Sequence, residues 1–588
     1  MTHIVIPMSG TGERFKKAGY SKPKPLIDVD GAPIIKYVVS MFSPDDRYTF
    51  ICNSDHLANT ELASVLREIA PAGEIISIAP HKKGPVYAVS QCFDRIGDEE
   101  EVIVNYCDFY SYWHYDDFLS TTRKRGAAGS VPSYRGFHPH MLGTDNYAFI
   151  KSTPDLELLA IQEKKPFTDD RMSEFASNGT YYFSRGQYVK KYFARLMERD
   201  IQVNGEFYVS MIYNLMVEDG LPVSVYEVQH MLQWGTPRDL EEYQHWSDYF
   251  ARLHREHEHS SESSIGQSEP GRVNAGLDIS GKATAGQHQT SCANLTDTVL
   301  IPMAGKGARF TAVGYDVPKP LISVSGKPMV VQACDNLPPA RRYIFVALKE
   351  HLSDSNLEET LRAEFKNVSI VSIDEVTEGQ ASTCELGLRR AIPPQNPNDQ
   401  LLIGACDNGI IYDAARWNAL LHETSIDVAA LSFRHHPASE RNPQMYGWLK
   451  VDGTVADFPR ISGVSVKKAI SDSPRTDHAI VGAFFFRRTS DFLKAYEKLK
   501  DENIRVNGEF YVDSMVEVAV RLGLTCVAFE VDDYICFGTP NDLKTFEYWQ
   551  SFFHKSDWHR YSIEADRNAI GSDRRLKERV EAGSRTRK

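Results

Sequence analysis

Residues 4–27 read IVIPMSGTGERFKKAGYSKPKPLI, and residues 299–322 read VLIPMAGKGARFTAVGYDVPKPLI. The two stretches align without a gap, 295 positions apart. Working outward from them, VNGEFYV stands at 203–209 and again at 506–512. Shortly behind come Gly235-Thr236-Pro237-Arg238-Asp239-Leu240 and Gly538-Thr539-Pro540-Asn541-Asp542-Leu543. Matches that keep their order and nearly their spacing mark a duplicated unit. At about 250 residues each unit has the length of a whole domain, far beyond a solenoid repeat. The sequence therefore predicts one domain over 1–251 and a second over 298–554. Residues 252–297 open with RLHREHEH and continue in Ser, Gly, Gln and Thr, a composition too polar to offset its ordering entropy, and read as a flexible linker. Residues 555–588 are rich in Arg, Lys and Glu and read as a charged tail, either a solvated helix or disordered.

Within each unit, short apolar runs alternate with helical patterns. In the first, strands are expected at 4–7, 48–52, 75–78 and 102–105, with helices at 34–42 and 59–69. In the second, strands are expected at 299–302, 343–348, 368–373 and 401–404. This rhythm implies an α/β fold with a largely parallel sheet covered on both faces. Ligands of such sheets bind at the carboxyl ends of the strands.

Composition bounds the rest. Of the 588 residues, 42% are hydrophobic and 25% charged, the profile of a globular protein. A net charge of −13 argues against a nucleic-acid-coating protein, which needs basic surface. Nine cysteines are scattered without a C-x-x-C pair or zinc-site spacing, which suits a reducing compartment, and a cytoplasmic location is expected. No apolar run approaches the ~18–20 residues that cross a membrane.

Two motifs follow the first strand of each unit. Gly10-x-Gly12-x-Arg14 and Gly305-x-Gly307-x-Arg309 let the backbone approach a phosphate, with Arg as a forked cation. The plainer reading is a tight strand-to-helix turn. Phe15 and Phe310 stand where a dinucleotide fingerprint needs its third Gly, so that reading is rejected. Ten residues after each Arg, Pro23-Lys24-Pro25-Leu26 and Pro318-Lys319-Pro320-Leu321 hold a Lys on pinned, extended backbone. Such a Lys can neutralise charge developing on an α-phosphate and its leaving group; otherwise it is a surface Lys in a Pro-rich turn.

The composite G-x-G-x-R…P-K-P-L-I resembles the signature of the sugar-phosphate nucleotidyltransferases, over about 500 of the 588 residues. Within that family it looks most like the cytidylyltransferase-like proteins of capsule and surface-polysaccharide pathways, an impression to which RGFHPHMLGTDNYAFI (135–150) contributes. The resemblance implies two tandem Rossmann-like nucleotidyltransferase domains, each a mixed, mostly parallel sheet flanked by helices. It also implies a Mg²⁺-dependent in-line attack on the α-phosphate of an NTP, CTP favoured, with release of pyrophosphate.

The resemblance assigns Arg14, Lys24, Arg309 and Lys319 to catalysis. It assigns Asp108 and Asp407, each at the end of the fourth parallel strand, to the metal. Met8, Gly10, Gly12, Gly84 and Pro85 are expected at the nucleotide in the first unit, and Met303, Gly305, Gly307, Gly379 and Gln380 in the second. Glu163-Lys164 resembles an acceptor-binding segment; the second unit keeps Lys467 but has Val466 in place of the acid. Many family members carry a second metal-binding Asp before a late Gly-Thr, where Gln233 and Cys536 stand here. Glu206 and Glu509 are candidates to replace it, or to bind the acceptor. Thr-Pro-x-Asp at 236–239 and 539–542 reads as a helix start. His138, His140, His435 and His436 are minor candidates for touching an anionic acceptor.

The expected partners are an NTP and a phosphorylated sugar, polyol or amino-alcohol, with no nucleic acid and no membrane, in a monomer or homodimer. Two other readings stand beside this one. One domain catalyses while the other, the second, binds nucleotide for regulation; or the chain is a nucleotide-sugar glycosyltransferase. The last would want D-x-D at the strand end and has no use for the P-K-P-L lysine.

Overall fold

The computed structural model describes residues 1–143, 145–265, 295–566, 568–570 and 573–582. The chain forms two units. The first holds Met1–Asp248 together with Lys555–His559, and the second Tyr249–His554 together with Arg560–Ala582.

In the first unit, strand His3–Met8 lies between Arg47–Asn53 and Val102–Asn105, with Glu74–Ile78 beyond Arg47–Asn53, all parallel. Every residue of HIVIPM is buried, as expected of a strand covered on both faces. Beyond Val102–Asn105 the sheet turns antiparallel through Thr180–Phe183 and Gly129–Tyr134, then Phe175–Ser177, Ala148–Ser152 and Leu158–Glu163. The second unit repeats the order with Val368–Ile373, Ala340–Leu348, Thr296–Pro302 and Leu401–Ile403 in parallel. Its extension differs. His478–Phe486, Val428–Phe433, Cys526–Glu530, Phe458–Val466 and Gly447–Val455 pair in turn, and the last returns to pair with the first, closing a barrel-like ring.

The expected strands all form. The helix expected at 59–69 is two, Ser54–Asn59 and Leu62–Ile69. The break has a local cause: Asn53 caps the first by accepting from the Asp55 N–H at 2.9 Å, and Leu62 and Leu66 bury the second. Helix Pro237–Ile265 runs on through the start of the stretch read as linker, because Tyr249, Phe250 and Leu253 give it an apolar stripe that is buried. Residues 266–294 of that stretch lie outside the described residues.

The described residues of the charged tail are packed rather than solvated. Asp573 caps helix Arg574–Glu581 by accepting from the Leu576 N–H at 2.9 Å. Leu576 and Val580, one turn apart, join Ile563 in a buried cluster of the second unit. In the first unit the Trp558 ring lies 4.8 Å from that of Tyr37 and 4.8 Å from that of Tyr110. No helix among the described residues is long and apolar enough to cross a membrane.

Candidate nucleotide site

In each unit the site forms where the parallel strands end. Gly12 and Gly307 follow the first strand with φ of 65° and 64°, a left-handed conformation that side chains rarely take. Nothing lies within 4 Å of where a Cβ on Gly12 would stand, so backbone conformation rather than crowding demands glycine there. Pro23 holds extended backbone ahead of Lys24, and the Lys24 Nζ donates to Asp108 Oδ2 at 2.9 Å. Lys319 and Asp407 form the same pair in the second unit. Burial alone would lower the Lys319 pKa, but Asp407 and Cys406 outweigh it and hold it above the ordinary value. The Lys on the loop after the first strand thus meets the Asp at the end of the fourth, twice.

The cavity of the first unit is lined by Met8, Gly10, Gly12, Lys24, Gly84, Pro85, Asp108 and Glu206 among the expected residues. That of the second is lined by Met303, Gly305, Gly307, Arg309, Lys319, Gln380 and Asp407. Arg14 is exposed and outside the first lining, and Gly379 lies outside the second. The first cavity adds Ser9, His56, His81 and Tyr106, which the motifs did not single out.

VNGEFYV has a structural logic that sequence reading missed. Val203 and Glu206 exchange backbone hydrogen bonds at 3.0 and 3.1 Å across Asn204 and Gly205, whose φ values are 54° and 79°. Two successive positive φ values make the tight hairpin turn that Asn-Gly favours. Asn507 and Gly508, at 51° and 83°, repeat it. The turn then docks on the Gly84 loop. Phe207 N–H donates to the Lys83 carbonyl at 3.0 Å, and Val86 N–H donates to the Phe207 carbonyl at 3.2 Å. A Cβ on Gly84 would stand 2.7 Å from both the N and the O of Phe207, and one on Gly379 would stand 2.6 Å from those of Phe510. Glycine at 84 and 379 therefore serves close backbone packing that carries Glu206 to the cavity of its unit.

Glu163 and Lys164 lie outside the cavity lining, and Lys164 joins it through hydrogen bonds. Lys164 Nζ donates to the Tyr208 hydroxyl at 2.8 Å, and Tyr208 donates to Glu206. Burial raises the Glu163 pKa, opposed by the Ser210 hydroxyl and Lys164. In the second unit Lys467 donates to the Met445 carbonyl, and burial lowers its pKa. The acid absent at Val466 reappears across the site. The repeat places Asp513 where the first unit has Ser210, and Asp513 interacts electrostatically with Lys467. Alignment of the residue after VNGEFYV could have found it.

Gln233 and Cys536 end short strands that pair with Phe109–Tyr112 and Asn408–Ile411, beside Asp108 and Asp407. Cys536 Sγ is engaged, donating to Asp542 Oδ2 at 3.3 Å, while Gln233 Oε1 is buried with no hydrogen-bond partner among the described residues. Gly235 and Gly538 leave space at the carboxylates, where a Cβ would stand 3.5 Å from Asp108 Oδ2 and 2.9 Å from Asp407 Oδ2. One carboxylate with open space suits Mg²⁺, which takes one or two carboxylates plus phosphates and waters. The described residues offer one tight group of potential metal ligands, His554, Glu564 and Glu581, and it includes neither Asp.

The helix starts are as expected: Asp239 N–H donates to Thr236 Oγ1 at 3.2 Å, and Thr539 and Asp542 repeat this. Three of the four histidines are engaged within the fold, while His435 is exposed. His140 Nε2 bonds the Tyr134 hydroxyl at 3.0 Å, burial lowers the His138 pKa to about 4, and His436 Nδ1 accepts from the Ala438 N–H at 3.1 Å.

Residues 4–166 match the family model of the MobA-like NTP transferase domain. The first unit therefore carries a domain of the nucleotidyltransferase class. Among solved structures, the nucleoside-diphosphate-sugar pyrophosphorylase from Vibrio cholerae RC9 is similar at 20% identity and a TM-score of 0.34, covering 41% of this chain and 99% of that one. The inositol-1-phosphate CTP transferase from T. maritima is similar at 16% identity and a TM-score of 0.34, covering 43% and 95%. The UTP-bound UGPase from Acinetobacter baumannii is similar at 18% identity and a TM-score of 0.34, covering 46% and 100%. No curated protein matches the chain.

Proposed function

We propose that both units transfer a nucleotidyl group from an NTP, CTP favoured, to a phosphorylated sugar, polyol or amino-alcohol, releasing pyrophosphate. An acceptor phosphate oxygen attacks the α-phosphorus, and the bond from that phosphorus to the bridging oxygen of the β-phosphate breaks. The carrying observation is the Lys24–Asp108 pair and its counterpart Lys319–Asp407, each beside a glycine loop at the ends of the same parallel strands. Lys24 and Lys319 are placed to offset charge on the α-phosphate and leaving group, and the glycine loops leave backbone open to phosphate oxygens. No covalent intermediate is needed, since positioning and electrostatics carry such a transfer. Asp108 and Asp407 would hold a Mg²⁺, which supplies charge neutralisation when bound. The second unit keeps the Lys319–Asp407 pair and Lys467, which supports two active units over one. Arg14, Glu163, Lys164 and Glu206 would serve the acceptor or triphosphate in the first, and Arg309 and Glu509 in the second. A cytoplasmic role in surface-polysaccharide precursor synthesis accords with the motif resemblance.

The test is pyrophosphate release with Mg²⁺, across four NTPs and a panel of sugar, polyol and amino-alcohol phosphates. Wild type runs beside Lys24→Ala, Lys319→Ala and the double variant. Each single variant should abolish a different NTP–acceptor pair, by about 10²–10³-fold, the effect of losing one positioned charge-stabilising donor. The proposal fails if no pair releases pyrophosphate, or if the double variant keeps wild-type rates.

A further inference from the structure

Ser9 and His81 line one corner of the first unit's cavity, Asn53 stands behind Ser9, and all three become apolar in the second unit. Ser9 follows the first strand, Asn53 ends the second and His81 follows the third. The offset of 295, which holds from the first strand through Gly84 and Gly379, places Ala304, Leu348 and Val376 at the matching positions. Asn53 Nδ2 donates to the Ser9 carbonyl at 3.2 Å, pinning the backbone. His81 Nδ1 accepts from the Lys83 N–H at 3.2 Å, so the hydrogen of the neutral ring is on Nε2. That Nε2–H donates to Ser9 Oγ at 2.9 Å. Tyr87 holds the His81 ring in place, edge to face at 4.7 Å. Burial, with Lys83, lowers the His81 pKa and keeps the ring neutral.

The proton count then fixes what Ser9 can do. Its oxygen already accepts from His81, so its own hydrogen is left to donate. Ser9 and His81 line the same cavity as Gly10, Gly12, Lys24 and Asp108. Lys24, beside Asp108, marks where phosphate charge gathers, and Ser9 and His81 are neutral donors and acceptors suited to a base edge. On the reading of this cavity as an NTP site, we infer that the Ser9 hydroxyl, oriented by His81 and Asn53, donates to an acceptor atom on the nucleobase and sets the nucleotide preference of the first unit. The second unit, with Ala304, Leu348 and Val376, reads the base without this contact and ranks the NTPs differently.

The experiment is calorimetric titration of the full chain with each of the four NTPs and with inorganic tripolyphosphate, resolving one event per unit. Ser9→Ala removes one oxygen and should weaken the preferred NTP of the first unit by about ten-fold, the equivalent of one hydrogen bond. Tripolyphosphate binding should be unchanged, and His81→Asn should act in the same direction. Ala304→Ser should leave the first event untouched. An unchanged NTP ranking in Ser9→Ala overturns the inference. So does an equal loss for all four NTPs, which would put Ser9 at the ribose or phosphates. A wild-type chain that binds no nucleotide overturns the NTP-site reading as well, which separates the two failures.

Discussion

Gly84 and Gly10 lie in the same cavity yet are glycine for opposite reasons. A Cβ on Gly84 meets the Phe207 backbone at 2.7 Å and its φ is +86°, whereas a Cβ on Gly10 meets nothing within 4 Å. We expect Gly84→Ala to destabilise the first unit by roughly 2–4 kcal/mol, the sum of backbone strain and overpacking, read as a lowered denaturant midpoint. Gly10→Ala should move that midpoint by less than ~0.5 kcal/mol and instead weaken NTP binding, because only a ligand would occupy the space. An equal effect of the two on stability would show that the loop is structural. At this scale the sequence was legible where a motif repeats: glycines, Lys and Asp converge in both units. It was illegible where a partner changes side, as when the acid of Glu163 is answered by Asp513 rather than Val466. Pairing across space is not written into local pattern.

A strand buried on both faces leaves a continuous apolar run, which is why Val102–Asn105 is legible to the residue, whereas Val368–Ile373, half-buried, shows as a short β-branched run. The antiparallel extensions alternate less clearly and were not read at all. The helix start at Thr236 carries a testable consequence. Asp239, half-buried there, has its pKa raised to about 6, chiefly by desolvation and against the Thr236 hydrogen bonds. A folded pKa above the unfolded value of 3.8 means the folded unit binds the extra proton between those values. This contribution is fully present below pH ~4 and is lost as pH rises through ~6. Relative to Asp239→Asn, the wild type should therefore lose stability between pH 4 and 6, by up to ~3 kcal/mol for about two pKa units. Thermal midpoints of the two proteins across that range check it; parallel curves would show that Asp239 titrates normally.

At the scale of the molecule, the charged C-terminal stretch belongs to the cores of both units. Composition hid this, because the buried Tyr561, Ile563, Leu576 and Val580 stand among Arg, Lys and Glu. Deleting 560–588 exposes the surface those side chains cover, at up to ~1.5–3 kcal/mol each before unfolded-state compaction is allowed for. We expect the calorimetric transition of the second unit to fall by several degrees. Trp558→Ala should instead destabilise the first unit, by less than the ~3–5 kcal/mol of a fully buried aromatic, since Trp558 is half-buried. If either change shifts both transitions equally, the division into two units is not energetic.

The Trp558 Nε1–H donates to the hydroxyl of Tyr243, 315 residues earlier in the chain. A ribosome adding about 5–20 residues per second takes roughly 15–60 s to cover that interval. Through that time the nascent first unit carries Tyr37, Tyr110 and Tyr243 without the indole that covers them. Its final maturation therefore waits on translation of the whole second unit, and a nascent chain stalled in between would present an open aromatic face to chaperones.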